Sequence, residues 1–511
     1  MLNREVDVVV VGCGVAGAAV ALAAKRGGAD VLVLEKQSPS THTPNVRMSG
    51  GWVMTFTDVD GGVEYLRGCA GGLVDQRLFR PWAERAVDTE KWLLDIGVKL
   101  TLADPQTWGL SRGYDTTPTW AENASVPGAG SVRAFQASTT LAPPAPGEGH
   151  QMRATGEVTA GEAIYRGLMH ALSDEGIEIL WQMSTNALAR DPGTGLVTGL
   201  TAVAADGQAH HITARHGVVL AAGGFGGNPE MIRQFMSVPN TKFYGNPGND
   251  GSGIKLAMSA GADLVHMNRL VGRAIAAYEL DDGREMGFMV ILHGGGYVLC
   301  DGTGQRFADE YDLAQQNHSF FYELEQFDAE NVGYTRSPSY LIFDERRRQA
   351  GPMTYHDRGA SAFGIYDWSR DNQVEIDKGW IGRGATPGAA AAAAGLPNAE
   401  AVNAVVAAYN ESIATGTPDP LGRPAESMTP LDQPPYYCLP LYCGGPYTTG
   451  GPRRDELGRV LDVNGAPIPG LYSAGEMGQA IGLLYPTSGA SISEAICLGT
   501  VTGEYLARPH D

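Results

Sequence analysis

The run Val6 to Val11 is β-branched apart from Asp7, the pattern of a strand buried in a parallel sheet. Gly12 bounds it. Ala16 to Lys25 has helical character and stops at Gly27-Gly28, where glycine suits a helix C-terminus. Val31 to Leu34 is a second apolar run, closed by Glu35, so strand, helix and strand complete one βαβ unit.

Further along, the pattern predicts helices within Gly62 to Lys99, including the amphipathic stretch Trp82 to Leu94. Residues 101–156 show little periodicity and much Pro, Gly, Ser and Thr, and read as a long loop excursion. A helix is expected over Thr159 to Glu175, then short strands near Ile177–Leu180, Gly195–Ala204 and His211–Ala214. Val218 to Ala222 is another buried strand, entering Gly223-Gly224-Phe225. From about 271 to 436 aromatic and charged residues rise, and an alanine run, Ala389 to Ala394, precedes a helix through Tyr409. After it, Gly470 to Glu476 resumes the strand-then-glycine style of the start, and Ser491 to Leu506 is the final helix.

Composition narrows the classes. A chain of 511 residues exceeds one ordinary core, so two domains are expected, one split by an insertion. Its 69 glycines cluster in short motifs without a period, which suits close backbone approach to a ligand. A formal net charge of −20 disfavours nucleic acid as a partner. Six cysteines are spread without a CxxC pair; Cys438 and Cys443, the only close ones, read as buried thiols, and a reduced, cytoplasmic setting is expected. The N-terminus runs straight into a strand, so no signal peptide is expected, and no apolar run is long enough for a membrane span. Nothing suggests a metal site.

Gly12-Cys-Gly14-Val-Ala-Gly17 lies between the first strand and helix, with Glu35 eighteen residues after Gly17. The first glycine makes the turn, the second admits the pyrophosphate to backbone amides, and the third allows close helix packing. The helix N-terminus favours phosphate, and Glu35 can accept from both ribose hydroxyls. Asn45-Val-Arg-Met-Ser49-Gly50-Gly51, Leu220 to Phe225 and Ala474-Gly475-Glu476 are further small-residue turns where a long cofactor can lie against backbone.

Together these motifs resemble the flavoprotein subunit family of fumarate reductase and succinate dehydrogenase, and within it the chain is most similar to 3-ketosteroid dehydrogenases. The family's N-x-x-x-[SA]-G-G is met by Asn45 to Gly51, with Thr43-Pro44 where two glycines are usual. Its A-T-G-G-F becomes Ala221 to Phe225, its G-D-G becomes Asn249 to Gly251, and its R-F-x-N-E becomes Arg306 to Glu310 with Asp309 for Asn. Its C-terminal signature appears almost intact over Asp455 to Glu476. The resemblance implies an α/β fold: a Rossmann-type FAD-binding domain, residues 1–270 and 437–511, split by an inserted α+β cap over 271–436 that covers the substrate. It implies FAD against Lys36, Asn45, Ser49, Gly50 and Gly51, against Ala187, Ala222, Gly223, Gly224 and Asp250, and against Gly475, Glu476, Ser491 and Ile492, besides the fingerprint residues. His42 lies two residues too far from Gly50-Gly51 for the family's covalent histidine, so the FAD is expected to be non-covalent.

The resemblance also carries a negative. Fumarate reductases clamp a dicarboxylate with arginines and histidines; the corresponding positions here are Ala314, Pro446-Tyr447 and Tyr485-Pro486. Instead, Tyr485-Pro-Thr-Ser-Gly489 resembles the Y-P-G-x-G segment with which ketosteroid 1-dehydrogenases hold a ketone oxygen, by the tyrosine hydroxyl and the glycine amide. Polarising a ketone acidifies its α C–H, so a base removes that proton while the β-hydride leaves to flavin. The family's tyrosine base falls on Ala314; Tyr311 is the first choice for that role, with His318 and Tyr447 as alternatives. The expectation is a dehydrogenase that introduces an α,β double bond into a cyclic ketone, 3-oxosteroid-like or smaller, with an unknown electron acceptor. The alternative is a flavin-dependent enone or enoate reductase.

Overall fold

The computed structural model describes residues 3–104, 120–142, 158–292, 296–314, 318–354 and 365–508. The chain divides into two compact units: 1–228 with 246–269 and 447–511, and 229–245 with 270–446. Both boundaries differ from those read off the sequence. The strand Tyr436–Gly445 pairs with Arg273–Glu279 and Ser339–Asp344, so it belongs to the second unit's sheet and moves the later boundary to 446/447. Residues 229–245 also join that unit, through Lys242–Phe243 pairing with Gly444 and Gly445.

The first unit is built on an eight-stranded sheet. Its order is Arg459–Leu461, Pro467–Ser473, Ala209–Leu220, Asn3–Val11, Val31–Glu35, Glu178–Trp181. The last four are mutually parallel, and Val8, Val9 and Val10 are fully buried, as a strand covered on both faces requires. The two short runs read at His211–Ala214 and Val218–Ala222 form one strand, Ala209–Leu220, whose first half carries an antiparallel extension of Val197–Ala204 and Met183–Arg190.

Helix Val15–Arg26 lies against the final helix, Ala490–Leu506. The approach is close: a Cβ on Gly503 would stand 2.3 Å from the Val20 carbonyl oxygen, so only glycine fits there. The amphipathic stretch read from Trp82 to Leu94 is two helices, Phe79–Ala86 and Thr89–Asp95. Part of the expected loop excursion is ordered β structure: Val132–Thr139 pairs with Trp52–Phe56 and Lys99–Leu102. The segments 105–119 and 143–157 of that excursion lie outside the described residues.

The second unit holds a seven-stranded sheet with Tyr436–Gly445 at its centre. The alanine run is itself a helix, Pro387–Ala393, capped by the Thr386 side chain, and the next helix runs Ala401–Thr415. Ala390, Ala391, Val402 and Val406 pack against Val298, Ile342 and Cys438 of the sheet. The Arg306-to-Glu310 motif is structural here. Arg306 grips Glu310 through two bonds of 2.7 Å and also pairs with Asp419 at 2.5 Å, while Arg423 approaches Glu310 at 3.4 Å. All six cysteines are buried and free. Among the described residues no helix is long and apolar enough to cross a membrane.

Candidate active site and cofactor cradle

Four motif turns leave the first unit's sheet at one edge. Val11 pairs with both Leu220 and Leu34, and Leu220 with Ser473. Gly12, Glu35, Ala221-Ala222 and Ala474-Gly475 therefore emerge together at the carboxyl ends of neighbouring strands, where an open parallel sheet binds its ligand.

Within the glycine-rich turn the three glycines do different things. Gly12 has φ +103° and its hydrogens face the Ala221 carbonyl, which a Cβ would meet at 2.4 Å. A Cβ on Gly17 would sit 2.0 Å from the Gly12 oxygen, so that glycine lets the helix close on the turn. Gly14 caps the helix N-terminus, and a Cβ there would find nothing nearer than Pro44 at 3.9 Å. That open space before the N–H groups of a 12-residue helix fits a pyrophosphate.

Glu35 is buried at the end of its strand. Its Oε2 accepts from the Cys13 amide and its Oε1 from the Gln37 amide, each at 2.9 Å. Burial pushes this carboxyl up, but His42 and the two amides outweigh it and hold it below the ordinary value. A fixed anion results, suited to accept from a ribose diol.

A second carboxylate, Glu476, gathers three separate segments. Its Oε1 accepts from Asn45 Nδ2 at 2.6 Å, and its Oε2 from Asn249 Nδ2 at 3.1 Å and the Gly224 amide at 3.3 Å. Asn45 Oδ1 in turn accepts from the Asn246 amide at 2.6 Å. Burial lifts the Glu476 carboxyl to about 7, against the pull of Asn45 and Gly224. Lys36 pairs with Asp250 at 3.1 Å and donates to the Gly248 carbonyl. Ser49 accepts from the Gly51 amide at 3.1 Å, beside Gly50. The turn at Gly223, φ +75°, stands against the Asn249 side chain. Ile492 is buried in the core. Ala187 is exposed on the strand Met183–Arg190, opposite Thr201.

Tyr485 and Gly489 sit where the final helix begins. Gly489 is the helix N-cap with φ +91°, and its carbonyl accepts from the Ser493 amide at 3.0 Å. The Tyr485 hydroxyl accepts from the Ser491 amide at 3.4 Å and the Ser491 hydroxyl at 3.2 Å. Burial pushes the Tyr485 phenol up, so it stays protonated at neutral pH; Ser491 and Tyr447 pull the other way. The backbone behind it is pinned: Asn123 Nδ2 donates to the Tyr485 carbonyl at 3.0 Å, Tyr65 Oη to the Pro486 carbonyl at 2.5 Å, and Thr487 Oγ1 to the Trp120 carbonyl at 2.6 Å.

The candidate bases are distributed between the units. Tyr447 is buried in the first unit, with its side chain beside Tyr485. Tyr311 is half-buried on the short helix Glu310–Ala314 of the second, its amide donating to Asp309 at 2.9 Å. His318 Nε2 lies 2.8 Å from an Arg273 guanidinium nitrogen. Arginine only donates, so that nitrogen accepts and is not available to take a proton.

Sequence reading missed Asn246 and gave Asn249 only as the first position of the G-D-G segment, with no role; their amides complete the Glu476 cluster, and the signal was the Asn-rich approach to Asp250-Gly251. It also missed Tyr65, Trp120 and Asn123, which no motif marks.

The chain is similar to several known proteins. The 4-oxocyclohexanecarboxylate 2-dehydrogenase of Sinomonas cyclohexanicum is 27% identical over 563 residues, covering 98% of this chain and 92% of that protein. The 3-oxosteroid 1-dehydrogenase of Mycobacterium tuberculosis strain H37Rv is 26% identical, covering 99% of each. Among solved structures, the 3-ketosteroid delta1-dehydrogenase of Sterolibacterium denitrificans superposes with a TM-score of 0.79 at 22% identity, over 99% of each chain, which shows a shared fold. Residues 7–492 match the FAD binding domain family. The chain belongs to that family, and is an FAD-dependent oxidoreductase.

Proposed function

We propose that this enzyme is a dehydrogenase that introduces an α,β double bond into a cyclic ketone. One observation carries the reading: the Tyr485 hydroxyl, kept protonated by burial and accepting two bonds from Ser491, stands with the Gly489 turn at a helix N-terminus. A phenol that accepts bonds is a better donor, because each one polarises its own O–H. With the Gly489 amide it makes a neutral pair suited to the partial charge of an enolate, and the helix dipole adds to it.

Bound FAD supplies the acceptor for the β-hydride. Tyr485 and Gly489 hold the carbonyl oxygen and acidify the α C–H, and a base takes that proton. The resemblance nominates Tyr311; Tyr447 is the candidate that lies beside Tyr485. The relatives named for a 4-oxocyclohexanecarboxylate and a 3-oxosteroid both act on ring ketones, which supports the substrate class. Non-covalent FAD and a substrate-covering role for the second unit belong to the same reading, as does a cytoplasmic setting.

The test is anaerobic mixing of the FAD-loaded protein with saturated cyclic ketones, 4-oxocyclohexanecarboxylate and a 3-oxosteroid among them. Bleaching of the flavin absorbance with appearance of the enone supports the reading. Bleaching by none of them, together with rapid reoxidation of reduced enzyme by enones, would establish a reductase instead.

A further inference from the structure

We propose that His42 is a positioning residue for FAD, acting through Glu35 in a buried chain Tyr165–His42–Glu35. His42 is fully buried. Its Nδ1 lies 3.1 Å from the Tyr165 hydroxyl and its Nε2 lies 3.5 Å from Glu35 Oε2. Among the described residues Nε2 makes no hydrogen bond, so a buried ring nitrogen is left facing the Glu35 carboxylate at 3.5 Å.

The geometry selects a tautomer. A neutral imidazole carries one N–H and one lone pair. If Nδ1 held the proton, the Nε2 lone pair would face a carboxylate in a buried setting, which is repulsive. With the Tyr165 hydroxyl donating to Nδ1, the proton sits on Nε2 and points at Glu35. The ring has little freedom to turn away. Tyr165 and Trp181 meet it edge-on at 5.4 and 5.0 Å between centroids, and Trp181 is the register partner of Glu35 in the sheet. Arg47 donates to the His42 carbonyl at 2.7 Å and is itself held by Glu162 at 2.7 Å.

The consequence falls on the cofactor. A carboxylate has about four acceptor directions. The Cys13 and Gln37 amides take one on each oxygen. The His42 N–H, held 3.5 Å from Oε2, restrains the carboxylate from rotating and leaves the acceptor directions not taken by the two amides to the ribose hydroxyls. Glu35 is thus oriented before FAD arrives, and pre-orientation removes a cost from binding.

The test reads FAD binding, with no substrate present. Apoprotein is titrated with FAD, and the dissociation constant is taken from quenching of FAD fluorescence. His42→Leu is expected to weaken binding on the order of tenfold, as for loss of a hydrogen bond to a charged group. His42→Gln keeps an N–H donor and is expected to restore most of that. In a Glu35→Gln background the His42→Leu effect should shrink, because a neutral amide oxygen then replaces the carboxylate. Unchanged affinity in His42→Leu overturns the proposal. So does an equal loss with and without the Glu35 carboxylate, which would mean mere packing. Should His42→Leu fail to fold, Tyr165→Phe carries the same cycle: it keeps the ring and removes the proton that selects the tautomer. Additivity of Tyr165→Phe with Glu35→Gln would then refute the chain.

Discussion

Ser491 donates twice to the Tyr485 hydroxyl, from its amide at 3.4 Å and from its own hydroxyl at 3.2 Å. The phenol thus receives bonds from the first turn of the final helix, and the proposed function gives its O–H to the substrate oxygen. Tyr485→Phe removes that donor while keeping the ring. We predict a fall on the order of 10²–10³ in the rate of flavin reduction by the ketone, as for loss of one oxyanion-hole donor. FAD content and melting temperature should stay close to wild type. A stopped-flow rate equal to that of wild type would remove the ketone-polarising role.

The base is open to a similar experiment. Tyr311→Phe and Tyr447→Phe are each compared with wild type, using substrate deuterated at the α-carbon. The variant that has lost the base is expected to reduce flavin more slowly and with a larger isotope effect, because proton removal then limits the rate. Slowing without a change in isotope effect would assign that tyrosine to binding.

For Glu35→Ala the expected change is weaker FAD retention by about 1.5–3 kcal/mol, since a buried anion that the ribose hydroxyls would share is lost. The bound FAD of wild-type protein should come off on acid precipitation. His42, the histidine nearest the family's attachment position, points both ring nitrogens at Tyr165 and Glu35. Yellow colour remaining in the acid pellet would refute the non-covalent assignment.

Glu476 should make stability depend on pH in the unusual direction. Its carboxyl is raised from 4.5 to about 7, so the folded protein binds more protons than the unfolded chain over that interval. The contribution is fully present below pH 4.5 and is lost as pH rises through about 7. Melting of the apoprotein between pH 5 and 8 should show this decline, and Glu476→Gln should flatten it. A wild-type profile that rises over the same range would show that the site stabilises the ionised form.

Fumarate and succinate should be neither turned over nor tightly bound. By the sequence resemblance, Tyr447 and Pro486 fall where the reductases have carboxylate-binding side chains, and Ala314 where they have an arginine. Reduction of fumarate with reduced viologen would contradict this.

The βαβ unit and its glycines were legible because their physics is local. A strand, a turn that must admit phosphate and an acidic stop lie within about thirty residues. The C-terminal turn at Gly475-Glu476 was readable for the same reason. What escaped was long-range pairing. Val132–Thr139 has weak alternation, and it becomes a strand because Trp52–Phe56 and Lys99–Leu102 supply partners on both sides. Asn123 and Tyr65 support Tyr485 from sequence positions more than 300 residues away. His42 was visible only as a possible attachment point. Its link to Glu35 depends on the Tyr165 helix and on Trp181, which no linear motif connects.

The packing of Val15–Arg26 against Ala490–Leu506, with Glu476 holding Asn45, sets an order on biosynthesis. A nascent chain carries the phosphate-binding turn from its first moments, yet residues that complete the cradle are translated more than 400 positions later. The second unit, whose last residue is Pro446, is synthesised in between. The cradle in its complete form therefore exists only once the closing segment has been made. Until then the face of Val15–Arg26 that meets Ala490–Leu506 lacks that partner.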